Sequence, residues 1–349
     1  MKIKVAHIIT GFGTGGAERL LLDLNAAFDR SRFEVTLISV SSDLAALTVY
    51  GYPDTDVAVF DLGGAGRIGA LLRLRAFLGQ LRPDIVHAHM FHGLVAAFAA
   101  TRFLSKRPAI VFTSHLNNYA PARAAIVRAL RPWRAADIVF TGGQHDHLNA
   151  RRTLVIPNGV AVAETAPQRR PWQAGAPIRL LAVGRLADQK DPLGMLHTLR
   201  AADLPHATLE FIGDGPLRGE AEALAEALGL SDRVTFHGVR SDVSHFLGTS
   251  DVFVMHSKYE GMPIALLEGA AQAMPVIATP VGAVADVVGP DGGVLAEPQD
   301  FAAALRALCG DPASAMEMGR RLHRRVHDSF SLKATATAHE ALYESLIPR

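Results

Sequence analysis

The stretch that decides the fold is residues 2–40, KIKVAHIITGFGTGGAERLLLDLNAAFDRSRFEVTLISV. KIKVAHIIT and FEVTLISV are short runs rich in β-branched residues, which are typical of buried strands. AERLLLDLNAAF, between them, has a helical pattern. The order strand, helix, strand predicts two parallel strands joined by a helical crossover, the unit from which α/β sheets are built.

The same alternation continues along the chain. Later strands are predicted in DIVHAH, PAIVFTSH and ADIVFTG, and a second series in IRLLAVG, ATLEFIG, RVTFHGV, DVFVMH and MPVIAT. Helical runs such as PLRGEAEALAEALG separate them. This order predicts an α/β protein with two Rossmann-like, doubly wound parallel sheets. Ligands of such sheets bind beyond the carboxyl ends of the strands, so the informative residues are expected there.

The length of 349 residues also favours two domains, because single cores rarely grow past roughly 250–300 residues. The polar, proline-containing stretch at 161–177 is the predicted break. We therefore expect an N-terminal domain over 1–165 and a C-terminal domain over 166–330. The last stretch, about 331–349, is predicted to be a helix that packs back on the first domain.

The charge balance limits the possible partners. The net charge is +1, which gives no strong attraction to nucleic acid. Residues 1–165 carry 18 Lys and Arg against 12 Asp and Glu, whereas residues 166–349 carry 17 against 22. A basic first half could favour an anionic partner or membrane surface, or could reflect variation in surface composition. The segments 66–82 and 122–134 are basic and partly amphipathic, which suits a helix lying on anionic lipid or an ordinary core helix with a basic outer face.

Other global features point to the cytoplasm. Cys309 is the only cysteine, so no internal disulfide can form, and its apolar surroundings predict a core position. The start MKIKVAHIITGFG does not read as a signal peptide, and no run approaches the roughly 20 apolar residues of a spanning helix. We expect a cytoplasmic protein, peripheral at the inner face of the membrane if it binds lipid.

A glycine-rich segment, GFGTGG (11–16), follows the first strand and opens the first helix. Gly11, Gly13 and Gly16 match the spacing of dinucleotide-binding loops, in which backbone N–H groups approach a phosphate. Such proteins usually have an acid at the end of the second strand, whereas here Asp43 lies 27 residues beyond Gly16. The segment therefore predicts phosphate binding or a tight turn, and gives little support to a dinucleotide cofactor.

Another loop, GRLADQKDP (184–192), follows a strand of the second series. Asp191 and Pro192 suit the cap and first residue of a helix. Arg185 and Lys190 flank the same loop, and two cations there suit a diphosphate, although exposed basic residues are common in loops.

YEGMPIALLEGA (259–270) places two carboxylates eight residues apart, with Glu268 in an otherwise apolar run. A carboxylate there costs free energy unless it is hydrogen-bonded. Pro263 suits the first position of a helix, whose free amides would stabilise an anion. Helical side chains lean toward the N-terminus, so Glu268 could reach the same place and accept both hydroxyls of a ribose. Glu260, in the loop, could accept hydroxyls beyond the phosphates.

Two alternatives remain for these carboxylates. Glu268 could pair with a buried arginine, or the two acids could belong to a glycosidase. A retaining glycosidase needs roughly 5–5.5 Å between its carboxyl groups, whereas eight helical residues span on the order of 10 Å. That spacing alone does not exclude a hydrolase, but the phosphate-binding surroundings argue against one.

Histidines are frequent in HAHMFHG and at the end of PAIVFTSH. His87 and His89 would share one face of a strand, but the sequence suggests no Cys or carboxylate ligand beside them, so we predict no metal site. Asp54-Thr55-Asp56 has the DxD pattern of metal–diphosphate sites. It precedes VAVF rather than following a central strand, which predicts a solvated turn.

Taken together, the ordered motifs resemble retaining glycosyltransferases of family 4, with the GT-B fold of two Rossmann-like domains facing across a cleft. The matching segments are GTGGAERLLLDL (13–24), DIVHAH (84–89), FTSH (112–115), VIPNGV (155–160), VGR with Lys190 (183–190), GDGPLR (213–218), FHG (236–238), Glu260 with Glu268, and MPVIATPVGAVADVV (274–288). Two positions depart from the family pattern: Ala161 replaces an aspartate after NGV, and LNNY follows His115.

The resemblance implies roles for individual residues. Glu268 would bind the ribose and Glu260 the transferred sugar, while Arg185 and Lys190 neutralise the diphosphate. His115 would lie beside the anomeric carbon. The remaining positions implied to contact the nucleotide sugar are Gly15, Gly16, Val239, Arg240, Gly261, Met262, Pro263 and Ile264.

The resemblance also implies the substrates. The donor would be a UDP- or GDP-linked sugar, and the acceptor a glycan, a lipid-linked sugar or a small molecule, with neither metal nor cofactor. Three other functions are compatible with parts of the sequence: a nucleotide-sugar epimerase of similar fold, a nicotinamide dehydrogenase that uses the glycine-rich segment, and a non-catalytic binding module. Glu260, Lys190 and His115 argue against the last.

Overall fold

The computed structural model describes residues 2–115, 119–142, 144, 148–169, 171–173 and 176–347. The chain divides into two compact units. The first comprises Met1–Asn158 with Lys333–Arg349, and the second comprises Gly159–Leu332. The stretch 161–177, in which a break is predicted, thus begins just inside the second unit.

The first unit is built on a seven-stranded sheet in which every pair is parallel. Its strands are β1 (Ile3–Ile9), β2 (Phe33–Ser39), β3 (Val57–Val59), β4 (Ile85–His89), β5 (Ala109–Thr113), β6 (Ala136–Val139) and β7 (Thr153–Val155), in the order 3-2-1-4-5-6-7. Its helices are α1 (Gly16–Ala27), α2 (Ala45–Val49), α3 (Arg67–Leu81), α4 (Met90–Thr101) and α5 (Pro121–Ala129), followed by a 3₁₀ turn over Arg131–Trp133.

The second unit is built on a six-stranded parallel sheet in the order 10-9-8-11-12-13. Its strands are β8 (Ile178–Val183), β9 (Ala207–Ile212), β10 (Val234–Phe236), β11 (Val252–Met255), β12 (Val276–Ala278) and β13 (Val294–Leu295). A 3₁₀ turn covers Asp188–Lys190, and the helices are α6 (Pro192–Ala202), α7 (Arg218–Ala227), α8 (Val243–Thr249), α9 (Ile264–Ala271), α10 (Val284–Val288), α11 (Phe301–Gly310) and α12 (Pro312–Ser329).

The predicted fold class, two doubly wound parallel sheets, is confirmed. Each predicted strand contains an observed one, because central strands are buried on both faces and are therefore continuously apolar. In β4, for example, all five residues are buried. The short edge strands β3, β7 and β13 were not among the predicted strands, since two or three residues with partly exposed side chains carry almost no apolar signal.

The last helix, α13 (Leu332–Leu346), lies almost entirely in the first unit. Tyr343 is fully buried there, and the carboxylate of Glu340 accepts a 2.8 Å hydrogen bond from the amide of Asp29. Cys309 is buried in the core of the second unit, as predicted. Within the described part of the chain, every helix is too short or too polar to cross a bilayer.

Candidate functional site

In the second unit, two of the predicted motifs come together because they follow neighbouring strands. β8 and β11 pair in parallel, with Leu180 opposite Val252, so their carboxyl ends lie at one edge of the sheet. A pocket at that edge is lined by residues of both following loops, among them Gly184, Arg185, Lys190, His256 and Ser257. The topology therefore brings residues 184–192, the cationic loop that carries Arg185 and Lys190, beside the loop that carries Glu260.

The central contact is an ion pair between Lys190 and Glu260. Lys190 Nζ donates to Glu260 Oε1 at 2.5 Å, and Gln189 Nε2 donates to Oε2 at 3.2 Å. Glu260 is 4% exposed, so its charge needs these donors. An ammonium group has three donor hydrogens, so Lys190 can keep Glu260 and still donate to a ligand. The two residues are 70 positions apart, and the sequence alone does not reveal that they pair.

The cationic loop is held by backbone geometry. Gly184 has φ +151°, and a Cβ placed on it would lie 2.9 Å from Lys190 Cε. Only glycine combines that conformation with the passage of the lysine side chain. Asp191 caps α6 as predicted, because its carboxylate accepts from the amide of Gly194 at 3.2 Å and Pro192 is the first helical residue. Asp191 also bonds His256 Nδ1 at 2.9 Å.

The helix that carries Glu268 begins one residue later than predicted. Pro263 is the cap, with extended backbone angles, and Ile264 is the first residue of α9. The prediction that Pro263 occupies the first helical position is therefore wrong. The fixed φ of proline suits both the cap and the first helical position, and the extended ψ of 115° places Pro263 at the cap. Glu268 is the fifth residue of α9 and is partly buried, so it lies slightly nearer the helix N-terminus than the sequence indicates.

Two predicted nucleotide contacts, Val239 and Arg240, lie three and four residues beyond the end of β10. Val239 is 46% exposed. Arg240 is exposed and forms a two-point ion pair with Asp242, both bonds being 2.8 Å long. The Arg240 guanidinium carbon also lies 5.6 Å from the centroid of the Phe246 ring.

In the first unit, the carboxyl group of Glu18, in the first turn of α1, lies against the glycine-rich loop, and the sequence did not indicate it. Gly15 is the cap of α1, and a Cβ on it would overlap Glu18 Oε2. Burial raises the pKa of Glu18 to about 7, and the neighbouring Asp43 adds to the rise. The side chain therefore lies beside the helix amides that Gly15 and Gly16 were predicted to offer to a phosphate, and it is easily protonated there.

The first unit also contains a buried histidine cluster. His87 and His89 point into the same region as predicted, and His7 of β1 joins them because it pairs with His87 across the sheet. His115, two residues beyond β5, bonds His89 Nδ1 through its Nε2 at 2.9 Å. His339 of α13 completes the cluster, with its ring centroid 5.7 Å from that of His87.

Burial makes these imidazoles neutral. Burial, with a smaller contribution from His339, lowers the pKa of His7 and of His115 to about 3, and burial lowers the pKa of His339 to about 4. His7, His87 and His89 place ligand atoms within 4.8 Å of one another, a spacing that could hold a metal ion. The prediction of no metal site considered only His87 and His89, because the sequence does not show that His7 lies beside them. A sequence signal existed, because the polar His7 interrupts an apolar strand.

Two further sequence motifs, Asp54-Thr55-Asp56 and LNNY, lie outside the sites described above. Asp54 and Asp56 lie in an exposed turn before the edge strand β3, as predicted. The departure at LNNY falls mostly on residues 116–118, which lie outside the described residues.

Known proteins resemble the chain along nearly its whole length. Residues 14–164 match the family model described as Glycosyltransferase Family 4, and residues 166–325 match the one described as Glycosyl transferases group 1. The chain is 27% identical to the lipopolysaccharide core biosynthesis glycosyltransferase LpsD of Rhizobium meliloti, with 98% of each chain covered. It is 26% identical to the UDP-Gal:alpha-D-GlcNAc-diphosphoundecaprenol alpha-1,3-galactosyltransferase of Escherichia coli, over 79% of each chain.

Solved structures show the same fold. HepE of Anabaena in complex with UDP-glucose has a TM-score of 0.84 at 19% identity, covering 98% of this chain and 100% of that chain. Sucrose-phosphate synthase of Thermosynechococcus elongatus has a TM-score of 0.82 at 20% identity, covering 99% of each. These are GT-B structures, so the two doubly wound units are those of the GT-B fold.

Proposed function

We propose that this chain, which belongs to the family 4 glycosyltransferases, transfers a sugar with retention of anomeric configuration and without a metal ion. Transfer from a nucleotide-sugar donor follows from the family. The epimerase alternative is not favoured, because the matching models and relatives are transferases. Beyond transfer from a nucleotide sugar, we propose the stereochemistry, the groups that take the place of a metal ion, and the kind of acceptor.

The observation that carries the proposal is that Lys190, which is ion-paired with Glu260, lines the pocket beyond β8 and β11 together with Arg185. A diphosphate leaving group develops negative charge as its bond to the sugar breaks, and preorganised cations stabilise that charge. Glu260 keeps Lys190 in place and offers a carboxylate oxygen to a sugar hydroxyl. Glu268 takes the ribose, and the backbone N–H groups of Gly261, Met262 and Ile264 donate to the phosphates. Pro263 has no N–H and is assigned to the donor site through the resemblance alone.

The proposed reaction is a front-face substitution. The bond between the anomeric carbon and the phosphate oxygen breaks, and the acceptor oxygen forms its bond on the same face of the sugar. The acceptor proton passes to the departing phosphate oxygen. His115 is assigned to the donor sugar, and Gly15 and Gly16 to the phosphates, through the resemblance to the family. Val239 and Arg240 are assigned to the base in the same way.

The stereochemistry is tested by following the reaction by ¹H NMR with an α-linked UDP- or GDP-sugar and a glycan acceptor. We expect the new anomeric signal to be that of an α-linked glycoside. A β-linked product would contradict retention, and an epimerised nucleotide sugar without glycoside would restore the epimerase alternative.

The expected metal independence gives a second prediction. Arg185, Lys190 and the amides at the start of α9 supply the positive potential that a divalent cation supplies elsewhere. Initial rates of transfer should therefore be unchanged by an excess of EDTA over total protein. A loss of activity that manganese or magnesium restores would contradict this prediction.

The acceptor is proposed to be a glycan or lipid-linked sugar presented at an anionic membrane surface. The relative from Escherichia coli carries diphosphoundecaprenol in its name. In the first unit, Ile68 and Leu72 of α3 are 74% and 60% exposed, and Ile126 and Trp133 near α5 are each 43% exposed. Arginines flank these apolar side chains, and apolar residues with a basic border suit an anionic bilayer.

Liposome co-sedimentation tests the membrane proposal. We expect binding to anionic vesicles at low salt and its loss at high salt, because surface charge is screened. The variant Arg123→Glu/Arg128→Glu/Arg131→Glu should bind weakly. The control Arg320→Glu/Arg321→Glu/Arg324→Glu makes the same change of charge in the second unit and should bind like the wild type. An absence of binding at low salt would leave a soluble acceptor as the better proposal.

A further inference from the structure

Three histidines of the first unit form a continuous hydrogen-bonded row. His7 Nδ1 lies 2.9 Å from His89 Nε2, and His89 Nδ1 lies 2.9 Å from His115 Nε2. They come from β1, from β4 and from the turn after β5, so the row crosses the sheet at the carboxyl ends of adjacent strands. His7 is fully buried and His89 is 3% exposed.

Each bond in this row needs one N–H and one lone pair. Burial keeps the imidazoles neutral by lowering their pKa, and a neutral imidazole has one nitrogen of each kind. His89 must therefore donate to one neighbour and accept from the other. The row can run in only two directions, either from His7 toward His115 or the reverse.

The far nitrogen of His7 decides between the directions. His7 Nε2 is buried, and it has no hydrogen-bond partner among the residues that the structure describes. A buried N–H without an acceptor is rarer and more costly than an unused lone pair. The proton of His7 is therefore on Nδ1, which donates to His89 Nε2. His89 then carries its proton on Nδ1 and donates to His115 Nε2.

The neighbouring histidine does not offer another route. His87 Nδ1 bonds the hydroxyl of Tyr343 at 2.7 Å, and its Nε2 bonds Thr113 Oγ1 at 2.8 Å. Both of its nitrogens are used, although its ring lies against His89 with centroids 4.1 Å apart. His115 itself has φ +59°, a left-handed conformation that is unusual for histidine, so its position is imposed by its surroundings.

We propose that His7 and His89 are positioning residues that hold His115 as the Nδ1–H tautomer, so that His115 meets the sugar as a neutral hydrogen-bond donor and not as a base. This inference rests on the proposed function only for the identity of the ligand. An N–H of fixed direction can donate to a sugar hydroxyl or to an oxygen that gains negative charge, without adding a full positive charge beside the oxocarbenium-like sugar.

The tautomer is measured directly by ¹⁵N–¹H multiple-bond NMR of the ¹⁵N-labelled full-length protein without ligand. We expect His115 and His89 to show protonated Nδ1 and unprotonated Nε2, with the His115 signals assigned by their absence in His115→Asn. Protonated Nε2 on His115 would overturn the proposal. So would stoichiometric zinc in the purified protein with metal-shifted His7 and His89 signals, because a metal would replace the hydrogens of the row.

Two variants of His89 separate direction from mere packing. The amide of asparagine superimposes on Nδ1 and can still donate to His115, whereas that of glutamine superimposes on Nε2 and cannot. We expect kcat for transfer to be higher in His89→Asn than in His89→Gln by roughly tenfold, with similar KM for the donor. Equal kcat values in two folded variants would overturn the positioning role.

The two kinds of failure can be told apart. If the NMR shows the expected tautomer but no nucleotide sugar is a substrate, the row stands and the proposed function fails. If transfer occurs but His115 carries its proton on Nε2, the proposed function stands and the row fails.

Discussion

Lys190→Ala is expected to lower kcat by roughly 10²–10³, the usual effect of removing one group that stabilises charge in the transition state. The reason is that Lys190 lines the pocket beyond β8 and β11 with its side chain only 22% exposed, whereas Arg185, which also lines it, is exposed. Arg185→Ala should lower kcat in the same range through the second positive charge. Steady-state kinetics with a saturating donor measure both effects.

Removal of Lys190 also leaves Glu260 buried without its ion-pair partner, which costs about 1–3 kcal/mol in the free energy of unfolding. Lys190→Ala/Glu260→Gln removes that charge, so it should regain stability while remaining slow. Lys258→Ala is the matched control, because this exposed lysine of the neighbouring loop pairs with Asp188 instead. Normal turnover in both Lys190→Ala and Arg185→Ala would refute the assignment of the diphosphate to this loop.

Glu268→Ala is expected to weaken binding of the nucleoside diphosphate roughly 10²-fold. A carboxylate that accepts two hydroxyls loses two charge-assisted hydrogen bonds, each worth about 1.5 kcal/mol or more. Glu268 is the fifth residue of α9 and leans toward its N-terminus, where the phosphates are proposed to bind. Isothermal titration with UDP and GDP measures the loss.

The control for this prediction is in the ligand. A 2′,3′-dideoxynucleoside diphosphate lacks both hydroxyls, so wild type and Glu268→Ala should bind it with the same affinity. An exposed carboxylate of α7 gives a matched protein control, Glu222→Ala, which should bind as the wild type does. If the variant loses the same factor of affinity for the dideoxy ligand, Glu268 acts through the structure of α9 and not through the ribose.

The fold could be predicted because its central strands are long and buried on both faces, so they appear in the sequence as continuous apolar runs. Three of the four edge strands, β3, β7 and β13, could not, since two or three residues carry no periodic signal, whereas the fourth, β10, lies in the predicted run RVTFHGV. The boundary between the units also differs from the predicted one at 165/166. Residues 159–165 belong to the second unit, where Val160 bridges Ser331, and a local sequence pattern does not reveal a pairing between such distant residues.

The site was predictable one residue at a time but not as pairs. Lys190, Glu260 and His115 were singled out because each follows a strand. Their partners depend on strand order: β8 lies beside β11, which brings Lys190 to Glu260, and β1 lies beside β4, which brings His7 to His87. Glu18 was missed for the same reason, because its raised pKa arises from burial against the glycine loop and from Asp43 on another segment.

The most direct test of the central claim is a thermal-shift measurement of the full chain with UDP, GDP, ADP, their sugar conjugates and NAD. A ligand that binds only the native state stabilises it by about 2.7 kcal/mol at a concentration of 100 Kd. We predict that UDP or GDP and a matching nucleotide sugar raise the melting temperature of the wild type, that NAD does not, and that Glu268→Ala loses most of the shift. Stabilisation by NAD alone, or by no nucleoside diphosphate at any concentration up to solubility, would contradict the account.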